Sequence, residues 1–179
     1  MNRNSQIGLI AYFATSLGRN QTFGRKAFQK IIHLTSELAD VPTGYEFSFY
    51  TYGPYSRALA SDLELAEDIK VVSSTKDEAT GGYDIKVGSL GHAFVKMVES
   101  DLTPHKTKLD WISKCFGKST AKSLELYSTI VFLKRNDPFK SDDEIANQVK
   151  KLKPKYELSE INSGIFKINS LEMEARTLS

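Results

Sequence analysis

The chain has little of what marks a secreted, disulfide-bonded or membrane-spanning protein. Its 179 residues include one cysteine, Cys115, which excludes an intrachain disulfide and a zinc site built from several cysteines. No apolar run approaches the roughly 18 residues that a membrane span needs. The apolar stretch near the N terminus lacks a clustered positive start and a cleavage site, so it predicts a first helix and not a signal peptide. We expect a cytoplasmic protein with no membrane partner.

Features that support catalysis are also scarce. The three histidines, His33, His92 and His105, have no metal-ligand spacing among themselves or with Cys115. Cys115 follows an apolar stretch, which is typical of a buried small side chain and not of a nucleophile. No glycine-rich segment has the lysine and the following helix of a phosphate-binding loop. We therefore expect no cofactor, no bound metal and no catalytic residue.

One short pattern keeps an enzymatic alternative open. Asp68 is followed by Asp84 and, two residues later, by Lys86. Two carboxylates and a lysine can hold magnesium and activate water, as in metal-dependent nucleases. The spacing is short enough to arise by chance, and the mixed sheet of such nucleases is not predicted.

Charge is unevenly distributed along an otherwise ordinary soluble composition. Hydrophobic residues make up 40% and charged residues 26% of the chain, enough for one domain, or one domain with a helical extension. Residues 102–155 contain 12 Lys and Arg against 6 Asp and Glu, whereas residues 1–100 contain 10 against 11. The basic second half could attract nucleic acid or an acidic protein, although such a bias often marks only the solvated faces of lysine-rich helices.

Hydrophobic periodicity predicts two helices at the start of the chain. The first spans about residues 6–17, between a Ser5 cap and a break at Gly18 and Asn20. The second follows a Thr22 cap and carries apolar residues at the spacing of one helix face.

A short strand and a third helix follow. Residues 45–52 alternate, so the phenylalanines should face the core and the tyrosines the opposite side. Gly53 should end the strand. Pro54 suits the first turn of a helix that runs to about Glu67, with Ser56 as a competing cap.

The remaining pattern is a hairpin and then helices. Residues 69–75 and 83–88 are β-rich runs joined by a polar loop with two glycines. Helices are predicted at about 90–100, 104–116, 119–135 and 141–152, the last from a capping box of Ser141 and Glu144, before an amphipathic tail. The sequence thus predicts a mainly helical α+β fold: a winged-helix-like core over residues 1–100 with a small β-hairpin, and a helical C-terminal extension over 101–179 that packs on it.

Two stretches carry a family resemblance. GRKAFQKIIHL (24–34) and FSFYTYGPYSRAL (47–59) together resemble the Panacea (SocA-like antitoxin) domain and related YwgA-type proteins of bacteria and archaea. The matching residues are Lys26, Gln29 and Lys30 in the helix and Tyr52, Gly53, Pro54, Tyr55 and Ser56 in the turn; Phe28 replaces the usual leucine. The resemblance covers about residues 5–100. It implies a helical domain with a small winged hairpin that binds a partner protein, as antitoxins and adaptors do, without turning over a substrate.

We interpret these stretches as two parts of a docking surface for a protein partner, such as a toxin or an adaptor target. Tyrosine and arginine commonly supply binding energy at protein interfaces, and helical spacing puts one polar ridge opposite the apolar stripe. The ordinary alternatives are a core and turn role for the aromatics and a solvated helix face for the ridge. The oligomeric state stays open, a homodimer included. The predicted surface comprises Tyr50, Tyr52, Tyr55 and Arg57, with Lys26, Gln29, Lys30 and His33.

A DNA-binding regulator is the competing class, but its usual reading surface would be acidic. The third helix of a winged domain commonly enters the major groove. Here Arg57 is the only basic residue of that helix, and the hairpin tip adds Asp77 and Glu78 against Lys76. Carboxylates are repelled by phosphates. DNA binding would therefore need the basic second half, with Lys114, Lys118, Lys122, Lys150, Lys151 and Lys153 as the candidates.

Overall fold

Helices account for most of the fold, and two small antiparallel hairpins complete it. The computed structural model describes residues 1–17, 23–76 and 83–178, and it confirms the predicted mainly helical α+β class. The helices are α1 (Arg3–Leu17), α2 (Arg25–Ala39), α3 (Arg57–Asp68), α4 (Gly91–Met97), α5 (Glu99–Leu102), α6 (Lys106–Phe116), α7 (Ala121–Asn136), α8 (Asp142–Leu152) and α9 (Leu158–Ala175). The strands are β1 (Ser48–Tyr50), β2 (Gly53–Tyr55), β3 (Val72–Lys76) and β4 (Tyr83–Val87).

Some predicted boundaries cannot be compared with the structure. The helix ends at Gly18, Asn20 and Thr22 and the acidic hairpin tip at Asp77 and Glu78 lie outside the described residues. Where the chain is described again, α2 begins after an extended Gly24.

Helix α2 is the element around which the others pack. It contacts α3, α6, α7, α9 and strands β2 and β4. One apolar cluster joins residues on both sides of position 100, including Phe28 of α2, Phe116 of α6 and Ile130 of α7. The division of the chain near residue 100 stays a prediction, as does the winged-helix description of the first half. Because neighbours surround the middle of α2, its polar residues Gln29, Lys30 and His33 are buried along with its apolar ones.

The first hairpin differs from the predicted single strand. β1 pairs with β2 through Tyr50 opposite Gly53, Phe49 opposite Pro54 and Ser48 opposite Tyr55. Gly53 has a φ of +82°, a conformation that glycine adopts without strain, and this returns the chain after a two-residue turn. The expectation that Gly53 ends the strand and Pro54 starts the helix is therefore wrong.

Ser56, the competing candidate, is the N-cap of α3. The Ser56 side chain accepts a hydrogen bond from the backbone N–H of Leu59 at 3.4 Å, and Ser56 itself has the extended backbone of an N-cap residue. Pro54 lies in β2, where its missing N–H costs little because this strand has a single partner.

The second hairpin lies close to its predicted position. β3 starts three residues late because Val71 still closes α3, donating its N–H to the Ala66 carbonyl at 2.8 Å. The five paired positions run from Val72 opposite Val87 to Lys76 opposite Tyr83. The N–H of Ile85 donates to the Phe23 carbonyl at 2.9 Å, which ties this hairpin to the chain leading into α2.

The second half is helical, as predicted, with local differences. The capping box of Ser141 and Glu144 is present at the start of α8. The cap of α7 is Thr120, one residue beyond the expected start, and the predicted helix over 90–100 breaks at Val98. Within the described ranges, every helix is too short or too polar to cross a membrane.

Candidate functional site

A pocket opens between α2, the β1–β2 hairpin and α3. Its volume is about 530 Å³, and its lining includes Lys26, Lys30, Tyr50, Tyr52, Tyr55 and Leu63. The two stretches that the sequence singled out therefore meet at one place. Cavities of this size are typical of sites for small molecules or a few side chains.

Three tyrosines and two cations form the rim beside this pocket. Tyr50 and Tyr52 are 46% and 52% exposed, and the Tyr50 ring lies 5.5 Å from that of half-buried Tyr55. The Arg57 guanidinium donates to the Tyr50 hydroxyl at 3.0 Å. The Lys26 ammonium lies 3.7 Å from the centre of the Tyr52 ring, a cation–π contact. Tyr50 and Tyr52 thus keep about half of their surface open to solvent.

The phenylalanines take the opposite face, as the alternation predicted. Phe47 packs edge-on against His33 at 5.0 Å between ring centres. Phe49 packs against Phe132 of α7 at 5.4 Å. Both are half-buried, so the hairpin rests on the helices through its phenylalanines and presents its tyrosines outward.

Gln29 fixes the end of the hairpin from below. Its amide nitrogen donates to the Ser56 carbonyl at 2.9 Å, and its amide oxygen accepts from the Ser56 N–H at 2.8 Å. Both partners are buried. A buried backbone N–H and C=O without partners would each be costly, so this pair explains why a glutamine of α2 and the turn belong together.

Lys30 lies at the floor of the pocket. Its ammonium donates to the Pro54 carbonyl at 2.6 Å, and the side chain is among the buried polar groups of the chain, at 4% exposure. Burial lowers the pKa of Lys30 to about 8; the Glu125 carboxylate opposes the change and the charges of Lys153 and Lys26 add to it. A buried ammonium thus stands directly beneath the aromatic rim.

A second buried lysine holds the turn from the other side. Lys153, which follows α8, donates to the Thr51 carbonyl and lies 3.0 Å from the Glu125 carboxylate. Lys155 contacts the other oxygen of Glu125 at 2.9 Å. Burial opposes ionisation of Glu125, but the hydrogen bonds from Lys155 and Lys153 outweigh it and hold the pKa of this carboxyl below its usual range.

These contacts correct the prediction that the polar ridge of α2 is a docking surface. Lys26 is exposed, but Gln29, Lys30 and His33 are buried, because α7 and the hairpin cover this face of α2. His33 hydrogen-bonds through Nδ1 with the Ser128 hydroxyl at 3.0 Å. Burial, with a contribution from the Lys30 charge, lowers the pKa of His33 to about 3, so its ring is neutral at physiological pH. Gln29 and His33 therefore support the site from beneath, and Lys30 reaches the pocket only as a buried part of its lining.

Other parts of the site gave no signal in the sequence. Glu125 lies on α7, about 70 positions after the turn it supports, and nothing local connects the two segments. Two acidic residues of α3 pair with α2: Arg25 lies 3.3 Å from Glu64 and 2.7 Å from Glu67. This pairing joins α2 to α3 along one wall of the pocket.

The residues of the nuclease alternative have structural contacts. Asp84 accepts a hydrogen bond from the Phe23 N–H at 3.1 Å and pairs with Lys86 at 3.2 Å. Asp68 is exposed at the end of α3. Among the described residues, no group of three or more His, Cys, Asp or Glu is placed to hold a metal ion.

Several of the lysines proposed for DNA binding are engaged by other groups of the protein. Lys122 pairs with Glu160 at 2.6 Å, and Lys150 donates to the Tyr156 carbonyl at 2.7 Å. Lys153 is buried against Glu125, which corrects its assignment as a nucleic-acid contact. The exposed members of the set are Lys114, Lys118, Lys122 and Lys151.

The remaining reactive side chains lie outside the pocket. Cys115 is half-buried, not fully buried as expected, and burial raises the pKa of its thiol. His92 is exposed, and burial lowers the pKa of His105, with help from the charge of Lys108.

Comparison with known proteins finds a relative of this chain. The chain is similar to the uncharacterized protein YwgA of Bacillus subtilis (strain 168). The two are 26% identical over 114 residues, which is 63% of this chain and 66% of YwgA, just under two thirds of its length. No protein-family profile matches the chain. The similarity agrees with the YwgA-type resemblance of the two motif stretches and assigns no activity.

Proposed function

We propose that this protein is a non-enzymatic binding module, antitoxin- or adaptor-like, that docks a partner protein on the rim and pocket formed by α2, the β1–β2 hairpin and α3. The observation that carries the proposal is the meeting of Lys26 with Tyr50, Tyr52 and Tyr55 at one open pocket. The resemblance of the same two stretches to the Panacea domain supports it, because characterised members of that family bind partner proteins.

The chemistry of the rim suits a protein partner. Tyrosine supplies a large amphipathic contact area at a low cost in side-chain entropy. Tyr50 is already held by Arg57 and Tyr52 lies under Lys26, so ordering these side chains on binding costs little. The hairpin beneath them is anchored through Gln29. A preorganised surface of this kind keeps more of its contact energy as affinity.

The enzymatic and nucleic-acid alternatives have no comparable support. Asp84 is engaged by the Phe23 backbone and by Lys86. Lys153 is buried against Glu125. The tyrosine rim is therefore the better-supported binding site.

The test is site-specific photocrosslinking in the native host. A benzophenone amino acid replaces Tyr52 in one strain and Tyr83 in another, since Tyr83 on β4 is 51% exposed and Tyr52 is 52% exposed. We expect one identified protein to be crosslinked from position 52 and not from position 83. The purified pair should then form a complex of defined stoichiometry.

The absence of any protein crosslinked from position 52 would overturn the proposal, and so would either of two further results. One is crosslinking of the same protein with equal yield from both positions, which would indicate chance encounters. The other is a crosslinked protein whose purified form does not bind the unmodified chain.

A further inference from the structure

Positive charge is in excess beneath the first hairpin. Lys30, Lys153 and Lys155 lie around a single carboxylate, Glu125, whose two oxygens are contacted by Lys153 and Lys155 at 3.0 and 2.9 Å. Lys30 and Lys153 are each 4% exposed. Buried charges are normally matched one to one, because desolvation of an unmatched ion is expensive. This site therefore has room, in electrostatic terms, for another anion.

Lys30 is placed to receive that anion. It lies at the floor of the pocket below the tyrosine rim. An ammonium has three N–H donors, and the Pro54 carbonyl, at 2.6 Å, takes one of them. A Cβ atom added at Gly53 would lie 3.8 Å from the Lys30 ammonium, so the turn backbone closes tightly over one side of the floor.

The walls of the pocket favour an apolar group next to the anion. Tyr52 and Tyr55 of the hairpin and Ala60 and Leu63 of α3 are in its lining, together with the Glu64 carboxylate, which pairs with Arg25. Arg25, also in the lining, is engaged by Glu64 and Glu67. Phosphate recognition in proteins commonly uses clusters of arginines with free planar faces, and the single ammonium at this floor matches a carboxylate better.

We infer that this pocket receives a carboxylate side chain from an acidic segment of the partner, flanked by an aromatic or aliphatic residue, and that Lys30 determines this specificity. The inference rests on the proposed function and deepens it. Lys30 would bind the carboxylate directly, and Lys26 at the rim would strengthen the attraction through its charge.

The position of Lys30 makes this recognition depend on pH. The groups that face its ammonium are Glu125 of α7, Lys153 after α8 and Lys26 one turn earlier on α2, with Lys155 acting through Glu125. Together with burial they leave Lys30 with a pKa of about 8. A bound carboxylate favours the protonated form, so affinity should fall as the pH rises above 8.

The test uses two peptides that differ in one group, acetyl-Phe-Glu-Phe-amide and acetyl-Phe-Gln-Phe-amide. Binding to the full chain is followed by NMR chemical-shift titration of the backbone amides near Tyr52 and Ser56. At pH 7 we expect the acidic peptide to bind at least about tenfold more tightly, as for a hydrogen bond to a charged group. Between pH 7 and 9.5 this preference should fall at least fivefold, whereas binding of the amide peptide should stay constant.

Variants assign the effect to Lys30. Lys30→Met keeps the shape of the side chain and removes its charge, so the preference for the acidic peptide should be lost. Lys118→Met removes a positive charge from an exposed position outside the pocket. This variant should still prefer the acidic peptide. If Lys30→Met does not fold, the pH series on the unmodified chain still tests whether a group with the pKa of Lys30 binds the carboxylate.

The outcomes separate the two proposals. Equal binding of both peptides, no binding of either at millimolar concentration, or a preference that survives in Lys30→Met would overturn the carboxylate inference. The protein-binding proposal would still stand in each case if a partner is crosslinked from position 52. A preference that Lys30→Met abolishes, with no partner crosslinked, would support the pocket specificity and contradict the protein-binding role.

Discussion

The two hairpins of this protein are held in different ways. β1–β2 has three paired positions, and the buried side chains of Gln29, Lys30 and Lys153 hold its backbone carbonyls. β3–β4 has five paired positions and is tied to the chain before α2 by Asp84 and by a backbone hydrogen bond from Ile85.

The difference shows how a very short hairpin can present a binding surface. Three paired residues do not form a stable hairpin alone, and the first hairpin therefore depends on polar groups donated by distant helices. Those groups fix the turn from beneath and leave Tyr50 and Tyr52 exposed on top. The second hairpin has a longer ladder and also buries Val72 and Ile85 in the core. Substitutions in the buried polar groups should consequently damage the first hairpin more than the second.

The largest effect is expected from Gln29→Met. The substitution keeps the length of the side chain and leaves the buried N–H and C=O of Ser56 without their partners. We expect a loss of about 4 kcal/mol in the free energy of unfolding, measured with urea. Gln148→Met is the matched control, since the half-buried Gln148 accepts from the Lys140 side chain and holds no buried backbone group among the described residues, and it should cost under about 1 kcal/mol. Similar losses in both would argue against the clamp.

Gly53→Ala should cost slightly less. The φ of +82° is strained for alanine, and its Cβ would lie 2.9 Å from the Thr129 hydroxyl oxygen. We expect a loss of about 3 kcal/mol in the free energy of unfolding. In a Thr129→Ala background the close contact is relieved and the strain is not, so part of the loss should return. An undiminished loss would assign the whole effect to backbone strain.

Acidification should expose the role of His33. Its pKa is about 3 in the folded chain against an ordinary 6.5, so the unfolded chain binds the proton first and stability falls as the pH drops from 6.5 towards 3. At pH 5 this term should lower the free energy of unfolding by about 2 kcal/mol relative to pH 8. The measurement is the difference between the unmodified chain and His33→Gln across that range. Parallel curves for the two proteins would contradict the neutral buried histidine.

The smallest effect is expected in the second hairpin. Asp84→Asn keeps the oxygen that accepts from the Phe23 N–H and removes only the charge. Its ion pair with Lys86 involves a largely exposed lysine and contributes little. We expect a loss of about 1 kcal/mol or less in the free energy of unfolding. A loss as large as that of Gln29→Met would show that both hairpins depend on buried polar anchors.

Local patterns in the sequence predicted most elements but not the way the site is built. Ser141 and Glu144 lie three residues apart, so their capping box could be recognised directly. Gly53 and Pro54 were compatible both with a helix start and with a turn, and only the pairing of β1 with β2 decides between them. The burial of Lys30 could not be predicted, because Glu125 of α7 and Lys153 after α8, which lie around it, are distant in the sequence.

The most direct test of a partner site on the first hairpin is the affinity of the crosslinked partner for two matched variants. Tyr52→Ala removes an aromatic side chain from the rim, and Tyr83→Ala removes one of equal exposure from β4. We predict that the dissociation constant rises at least tenfold for Tyr52→Ala and changes less than about twofold for Tyr83→Ala, with both variants folded. Unchanged affinity in Tyr52→Ala, or an equal loss in the two variants, would contradict a partner site on the first hairpin.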